Sequence, residues 1–340
     1  MLFANWLRKY DMPMFSTVYH LTAPRRFIPQ TKRLTPELAP GYVRLKVLAC
    51  GICGSDISHF LGLRRVKYPI SLGHEFCAEV TESVSPALPE GTLVVSDLNY
   101  RCGECALCIN GQSHLCRMGS VGYFSNRAFA NYMDILDAYL TPVKSTLAPH
   151  LAALTEPLAC VLHALDRAPY DPSDRILIVG AGGIGALFVY ALIARGHAPE
   201  AISLCDPLPR ARNVANAFGV IETPSPAAGD YDLVIEASSS VSGFCQSANA
   251  LRGGGTLIMF SHLDGHSGIE VPWHMLTRKD VRMALPHLNG DRGLMYPAMT
   301  LLERSPQPLD SLLLLRPLSE IQEAFDLYPT PEASKLILMP

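Results

Sequence analysis

Residues 175–206 read RILIVGAGGIGALFVYALIARGHAPEAISLCD, and no other stretch constrains the fold as tightly. The run 176–179 is short and wholly apolar, the pattern of a strand buried on both faces of a parallel sheet. Gly180-Ala181-Gly182-Gly183-Ile184-Gly185 follows at once, and then an apolar segment reads as a helix up to Arg195-Gly196. A second strand over 201–205 ends at Asp206, 21 residues after Gly185. Such a glycine spacing is weak alone. Between a strand and a helix, with an acid closing the next strand, it has a physical use. Gly180 lets the chain turn tightly, Gly182 lets the backbone approach a pyrophosphate, and Gly185 lets the helix pack on the strand. Gly183 and Ile184 open a helix whose N-terminus faces the phosphates. Asp206 is placed to accept from ribose hydroxyls and to repel a 2′-phosphate, which favours NAD over NADP. Arg210 and Arg212 stand just beyond and can soften that preference. The alternative is an α/β turn that holds no nucleotide. Further strands are expected at 231–237, 256–260 and 281–285, giving a parallel sheet over about 155–290.

Ten cysteines are present, and four crowd together as Cys102-x2-Cys105-x2-Cys108-x7-Cys116. Disulfide scaffolds are usually short secreted chains dense in cysteine throughout. This chain has 340 residues, and Arg8 and Lys9 follow rather than precede its few N-terminal apolar residues, the reverse of a secretory signal. A cytoplasmic protein with a metal-binding thiolate cluster is the expectation. Two-residue gaps let neighbouring thiolates converge on one ion, and four close a tetrahedral zinc shell. An iron–sulfur cluster is a rival, but its x3-C-P continuation is missing, since seven residues separate Cys108 from Cys116 and Arg117 follows. Free thiols or disulfides are the third possibility.

Composition excludes several classes. Lys and Arg total 28 against 31 Asp and Glu, a net charge of −3, which argues against a nucleic-acid partner. The longest apolar stretch, 186–194, falls well short of the roughly 20 residues a membrane helix needs, so no membrane partner is expected. Apolar residues make up 49% of the chain, enough for a large core.

Three short segments carry zinc-ligand types: Cys53 after an apolar strand at 43–49, His74 in Gly73-His74-Glu75, and Glu156 in Glu156-Pro157. Each is ambiguous singly. A cysteine after a strand is usually a small hydrophobe, a lone histidine is usually a hydrogen-bonded structural residue, and Glu-Pro commonly starts a helix. Their order around a cysteine lobe and a glycine loop is what makes them notable.

The chain resembles the zinc-dependent medium-chain dehydrogenases/reductases, in particular their polyol, sorbitol-like branch. GICGSD at 51–56, GHE at 73–75, the cysteine lobe at 102–116, EPLA at 156–159 and GAGGIG at 180–185 stand in family order, and the likeness spans about 14–340. The resemblance implies an α/β protein: a tail over 1–13, a GroES-like mainly-β catalytic domain over 14–154, a Rossmann doubly wound parallel sheet over 155–290, and a return of 291–340 to the catalytic domain. It implies that Cys53, His74 and Glu156 bind catalytic zinc, that Glu75 reaches this metal directly or through water, and that Asp56 orients His74. Ser55 would pass on the alcohol proton. Cys102, Cys105, Cys108 and Cys116 would hold structural zinc, making two zinc ions per chain, with NAD as cofactor and a homodimer or homotetramer as the assembly. Cys160 would compete as a ligand only in a slipped alignment.

One departure stands out. Many relatives place a histidine two residues after GSD to extend the proton relay; here Ser58 stands there and His59 follows. Either Ser58 relays the proton or another exit is used. The implied reaction is hydride transfer between a small-molecule secondary alcohol and the nicotinamide, with zinc as Lewis acid. Polyols, sugars or cyclitols are the implied substrates, and CGSDISHF and EPLACVLHALDR resemble dehydrogenases of aminocyclitol biosynthesis. The pocket is expected to draw on Phe60, Arg64, Arg65 and the polar stretch 261–293, unless the two arginines form only a solvated loop. A metal-free quinone-reductase-like relative and a non-catalytic redox-sensing or structural protein are the alternatives.

Overall fold

A computed structural model describes residues 14–97, 101–116, 118, 127–143, 146–265, 273–286, 292–305 and 307–340. The expected N-terminal tail lies outside them. The first part of the chain is built from antiparallel strands: β1 (Phe15–Ala23), β2 (Arg26–Arg33), β3 (Tyr42–Gly51), β4 (Ile70–Ser71), β5 (Glu75–Ser83), β6 (Leu93–Ser96), β7 (Tyr132–Leu136) and β8 (Leu140–Pro142). Strands β2, β1 and β4 form a small sheet in that order. β3 lies at the centre of a larger one and is largely buried along its length. One edge of β3 pairs with β5, with Gly51 opposite Glu75. Its other edge is shared by β7 and the C-terminal strand.

Six parallel strands follow: β9 (Ile176–Val179), β10 (Ile202–Cys205), β11 (Ile221–Glu222), β12 (Tyr231–Glu236), β13 (Leu251–Met259) and β14 (Arg282–Ala284), in the order β11-β10-β9-β12-β13-β14. This is doubly wound order, with its crevice beyond the carboxyl end of β9. The sequence expectations hold for type and place. β13 starts five residues before the expected 256, because Gly253-Gly254-Gly255 continues the strand rather than breaking it. The pairing shifts register there, from Tyr231 opposite Leu251 to Leu233 opposite Thr256, as a bulge allows. Gly180 takes a φ of +108°, and a Cβ on Gly185 would lie 1.8 Å from Gly180 O, so strand, turn and helix meet only with glycine there.

The chain ends with β15 (Leu313–Pro317) and β16 (Lys335–Met339), a parallel pair. β16 pairs with the end of β3, with Ile337 opposite Gly51. The ends of β3 and β16 and the start of β5 therefore converge at one place. The helix Thr155–Asp166 runs close by and is buried from Thr155 to Leu165. Its apolar side chains join those of the helix Gly183–Ala194 and of β9 in one core, which also takes in Ala49 and Ile337. Among the described residues no helix is long and apolar enough to cross a membrane.

Candidate active site and metal centres

A cavity of about 280 Å³ lies where the antiparallel and parallel sheets face each other, and both line it. The antiparallel side supplies its reactive floor. β3 hands Cys53 to the start of the helix Gly54–Phe60, and β5 begins at His74-Glu75. Because Gly51 and Glu75 are partners in the ladder, the donor atoms of Cys53, His74 and Glu75 come within 4.8 Å of one another. Asp56 is fully buried beneath them. Its Oδ2 accepts from Cys53 N at 3.0 Å, and its Oδ1 faces His74 Nδ1 at 3.6 Å. Burial alone would lower the His74 pKa; the facing Asp56 and Cys53 outweigh it and hold it well above the ordinary value. Burial would raise Asp56, and His74 with the Cys53 amide pulls it below the usual carboxylate value. The floor of the cavity thus stabilises positive charge, as a cation site must.

Sequence reasoning missed Lys335. Its Nζ meets Glu75 Oε2 at 2.5 Å, and both side chains are buried. Burial lowers the Lys335 pKa and Glu75 more than restores it. The stem crosses from one side of the cavity to the other: a Cβ on Gly183 would lie 2.7 Å from Lys335 Cδ, and one on Gly51 3.2 Å from Lys335 Cε. The available signal was a single cation opening the apolar strand KLILM.

Glu156 lines the same cavity but stands outside the compact trio. Burial, helped by the charge of Glu75 and opposed by His74, pushes its carboxyl up to about 7. Cys160, one helical turn on, donates its Sγ to Glu156 Oε1 at 3.4 Å. The donor atoms of Cys53, His74 and Glu75 thus form the tightest group, and Glu156 lies on the same cavity wall, close enough for His74 and Glu75 to act on its charge. Ser55 also lines the cavity, and its Oγ is buried with no hydrogen-bond partner among the described residues. Ser58 donates to Gly54 O at 3.2 Å from the same helix.

Phe60 was expected in the pocket and is not there. It is 1% exposed and packs against Phe27 and Phe325, at centroid distances of 5.8 and 5.1 Å. The Gly54–Phe60 helix turns its serines to the cavity, so Phe60 falls on the core side. Arg64 lines the cavity and pairs with Asp264, whereas Arg65 is exposed.

The four clustered cysteines also converge, with sulfur separations of 3.9 Å (Cys102–Cys108), 4.0 Å (Cys105–Cys116) and 3.6 Å (Cys116–Cys102). All are free thiols. A tetrahedral ion with sulfur bonds of about 2.3 Å places its ligands ~3.8 Å apart, so the cluster fits zinc. Backbone N–H groups aim at the sulfurs: Cys105 N lies 3.4 Å from Cys102 Sγ, and Cys102 N 3.5 Å from Cys116 Sγ. The latter helps pull Cys116 down to about 6, favouring the thiolate that a metal needs.

On the parallel side, Gly182, Gly183 and Ile184 line the cavity. Asp206 accepts from Ala181 N at 2.7 Å and Leu208 N at 2.9 Å. Arg210 binds the same carboxylate through Nε at 3.1 Å and Nη2 at 2.8 Å. Arg212 instead pairs with Glu222 at 3.1 Å.

An alcohol dehydrogenase GroES-like domain model matches residues 39–145. A sorbitol dehydrogenase of Halalkalibacterium halodurans is 29% identical over 331 residues, which span 90% of this chain and 94% of that protein. An erythritol/L-threitol dehydrogenase of Mycolicibacterium smegmatis is 28% identical over 341 residues, covering 90% and 92%. In three dimensions the acetophenone reductase of Geotrichum candidum, solved with NAD, superposes with a TM-score of 0.84 at 23% identity, covering 97% and 98% of the two chains. The doubly wound sheet, the GroES-like sheet and these relatives agree: the chain carries an alcohol dehydrogenase GroES-like domain over 39–145 and is similar over most of its length to zinc-type medium-chain alcohol dehydrogenases of the polyol branch.

Proposed function

We propose that the protein transfers hydride between NAD(H) and a secondary alcohol or ketone of a polyol, sugar or (amino)cyclitol, using two zinc ions per chain. The observation that carries this reading is the joint wall of one cavity: Cys53, His74, Glu75 and Glu156, the glycine loop at Gly182–Ile184, and Ser55, whose Oγ has no hydrogen-bond partner among the described residues. The sorbitol and erythritol/threitol dehydrogenases among its relatives support the substrate class.

Cys53 and His74, completed by Glu75 or Glu156, would hold the catalytic zinc, and Cys102, Cys105, Cys108 and Cys116 the structural one. Bound there, zinc supplies Lewis acidity that lowers the alcohol pKa, and the nicotinamide supplies the hydride acceptor. The rest falls to the chain. Asp56 fixes the ring of His74, as a buried carboxylate facing the ring nitrogen does. Ser55 Oγ takes the alcohol proton, and Ser58 offers the next hydroxyl toward Asp264. The backbone at Gly182–Ile184 and the helix start behind it receive the pyrophosphate. Asp206 favours NAD by accepting from the ribose and repelling a 2′-phosphate, with Arg210 tempering that repulsion. The reading also divides the chain at about 154 and 290, and the pairing of β16 with β3 supports returning the C-terminal segment to the catalytic half.

A screen of polyols, cyclitols and amino alcohols with NAD and NADP, followed by the absorbance of the reduced cofactor, tests the reaction. Metal analysis of the same preparation tests the ions. NAD-linked oxidation with two zinc equivalents is expected; oxidation that survives complete removal of metal would overturn the zinc assignment.

A further inference from the structure

The cavity wall carries a second pair of opposite charges, drawn from loops far apart in sequence. Arg64 follows the helix Gly54–Phe60, and Asp264 lies beyond β13. Arg64 Nε donates to Asp264 Oδ2 at 2.8 Å. The two loops seat against each other, since a Cβ on Gly265 would lie 3.0 Å from Leu63 Cδ2. Ser58 lies near Asp264 and helps lower its pKa, and His262 lines the same wall. Burial would raise the Asp264 pKa; Ser58 and Arg64 hold it below the usual carboxylate value, so it is an anion near neutral pH.

The charge balance of the cavity follows. Among the described residues, the Arg and Lys side chains on its wall are both neutralised, Arg64 by Asp264 and Lys335 by Glu75. Beyond the metal that Cys53 and His74 would hold for the reacting oxygen, a substrate phosphate or carboxylate would find no unpaired Arg or Lys among the described residues of the wall and would meet carboxyl groups at Asp264 and Glu156. A hydroxyl, by contrast, both donates and accepts. Arg64 is hydrogen-bonded to the described residues only through Nε, which leaves its Nη groups as donors beside the carboxylate of Asp264.

We propose that the Arg64–Asp264 pair is a specificity device that grips hydroxyls beyond the oxidised carbon, so that the site takes an uncharged polyhydroxylated alcohol and rejects phosphate esters and sugar acids. This rests on the dehydrogenase reading of the same cavity. Two substitutions move the preference in opposite directions. Asp264→Asn removes the negative charge and frees Arg64, so discrimination in favour of the neutral alcohol falls about tenfold or more. Arg64→Gln leaves Asp264 unpaired, so the phosphate ester is rejected more strongly, and KM for the neutral alcohol rises more than kcat falls. A pair that merely held the two loops together would weaken neutral and charged ligands alike in both variants.

The experiment uses two matched sets: sorbitol, sorbitol 6-phosphate and gluconate; and erythritol, erythritol 4-phosphate and erythronate. For wild type and both variants, kcat/KM is measured with NAD, and binding is titrated calorimetrically in the presence of NADH. Support is a wild-type preference for a neutral member that Asp264→Asn erodes and Arg64→Gln does not. A wild-type preference for a phosphate or acid, or parallel changes in both variants, overturns the proposal. Failure of every probe to bind overturns it too. Selective binding of the neutral member without oxidation would sink the dehydrogenase reading and leave this one standing.

Discussion

Replacing Lys335 with Met tests whether the site is built on a buried ion pair. Met keeps most of the stem that crosses between Gly51 and Gly183 but removes the ammonium that meets Glu75 Oε2. Glu75 is 1% exposed and cannot turn to water. Removing one partner of a buried pair typically costs about 3–5 kcal/mol, because the other charge stays buried without compensation. Unfolding entropy of roughly 2.1 cal/mol/K per residue, over 340 residues, gives about 0.7 kcal/mol/K. The expected drop in melting temperature is therefore about 4–7 °C, and more if the half that carries the pair unfolds alone. Scanning calorimetry of Lys335→Met, Glu75→Gln and the double variant measures it. The double variant should recover at least half of the sum of the single losses, since it leaves no orphan charge. A Lys335→Met protein melting within 1 °C of wild type (~0.7 kcal/mol by the same conversion), or strictly additive losses, would refute the reasoning.

Cys105→Ser should remove the structural ion, lowering bound zinc from about two equivalents to about one and destabilising the fold, because metal binding in a lobe this small is folding energy; metal analysis with a melting curve reads both. Ser55→Ala should cut turnover about 10²–10⁴-fold while zinc content and NAD affinity stay at wild-type values. Unchanged turnover under conditions where chemistry limits the rate removes Ser55 from the proton path. Ser58→Ala should slow the same step less, as seen in the solvent isotope effect on single turnover. Asp206→Ala should weaken NAD binding and relax the preference against NADP. If the native protein already uses NADP as well as NAD, Arg210 has neutralised Asp206 in function as it does in geometry.

What was legible in the sequence was local. Gly180, Gly182 and Gly185 with the flanking apolar runs specify strand, turn and helix, because a tight turn and a helix packed on a strand depend on neighbours a few residues apart. The convergence of Cys102, Cys105, Cys108 and Cys116 was legible for the same reason: two-residue gaps bring thiolates to one point whatever the rest of the chain does. The Asp206–Arg210 contact closes the short loop from β10 to the helix Arg210–Phe218, four residues apart, and was within reach of the same local logic. Tertiary structure decided the rest. Lys335 meets Glu75 across 260 positions only because β16 pairs with the end of β3 beside the start of β5. Arg64 meets Asp264 across 200 positions because two loops from different sheets close on one cavity. Phe60 left the expected pocket for the aromatic core because the rotation of a seven-residue helix is set by what packs behind it. Likewise Cys53 meets His74 and Glu75 only because the ladder sets Gly51 opposite Glu75, since register decides which donor atoms share a few ångströms. Such contacts depend on register and on the summed packing of whole elements, and no spacing along the chain encodes either.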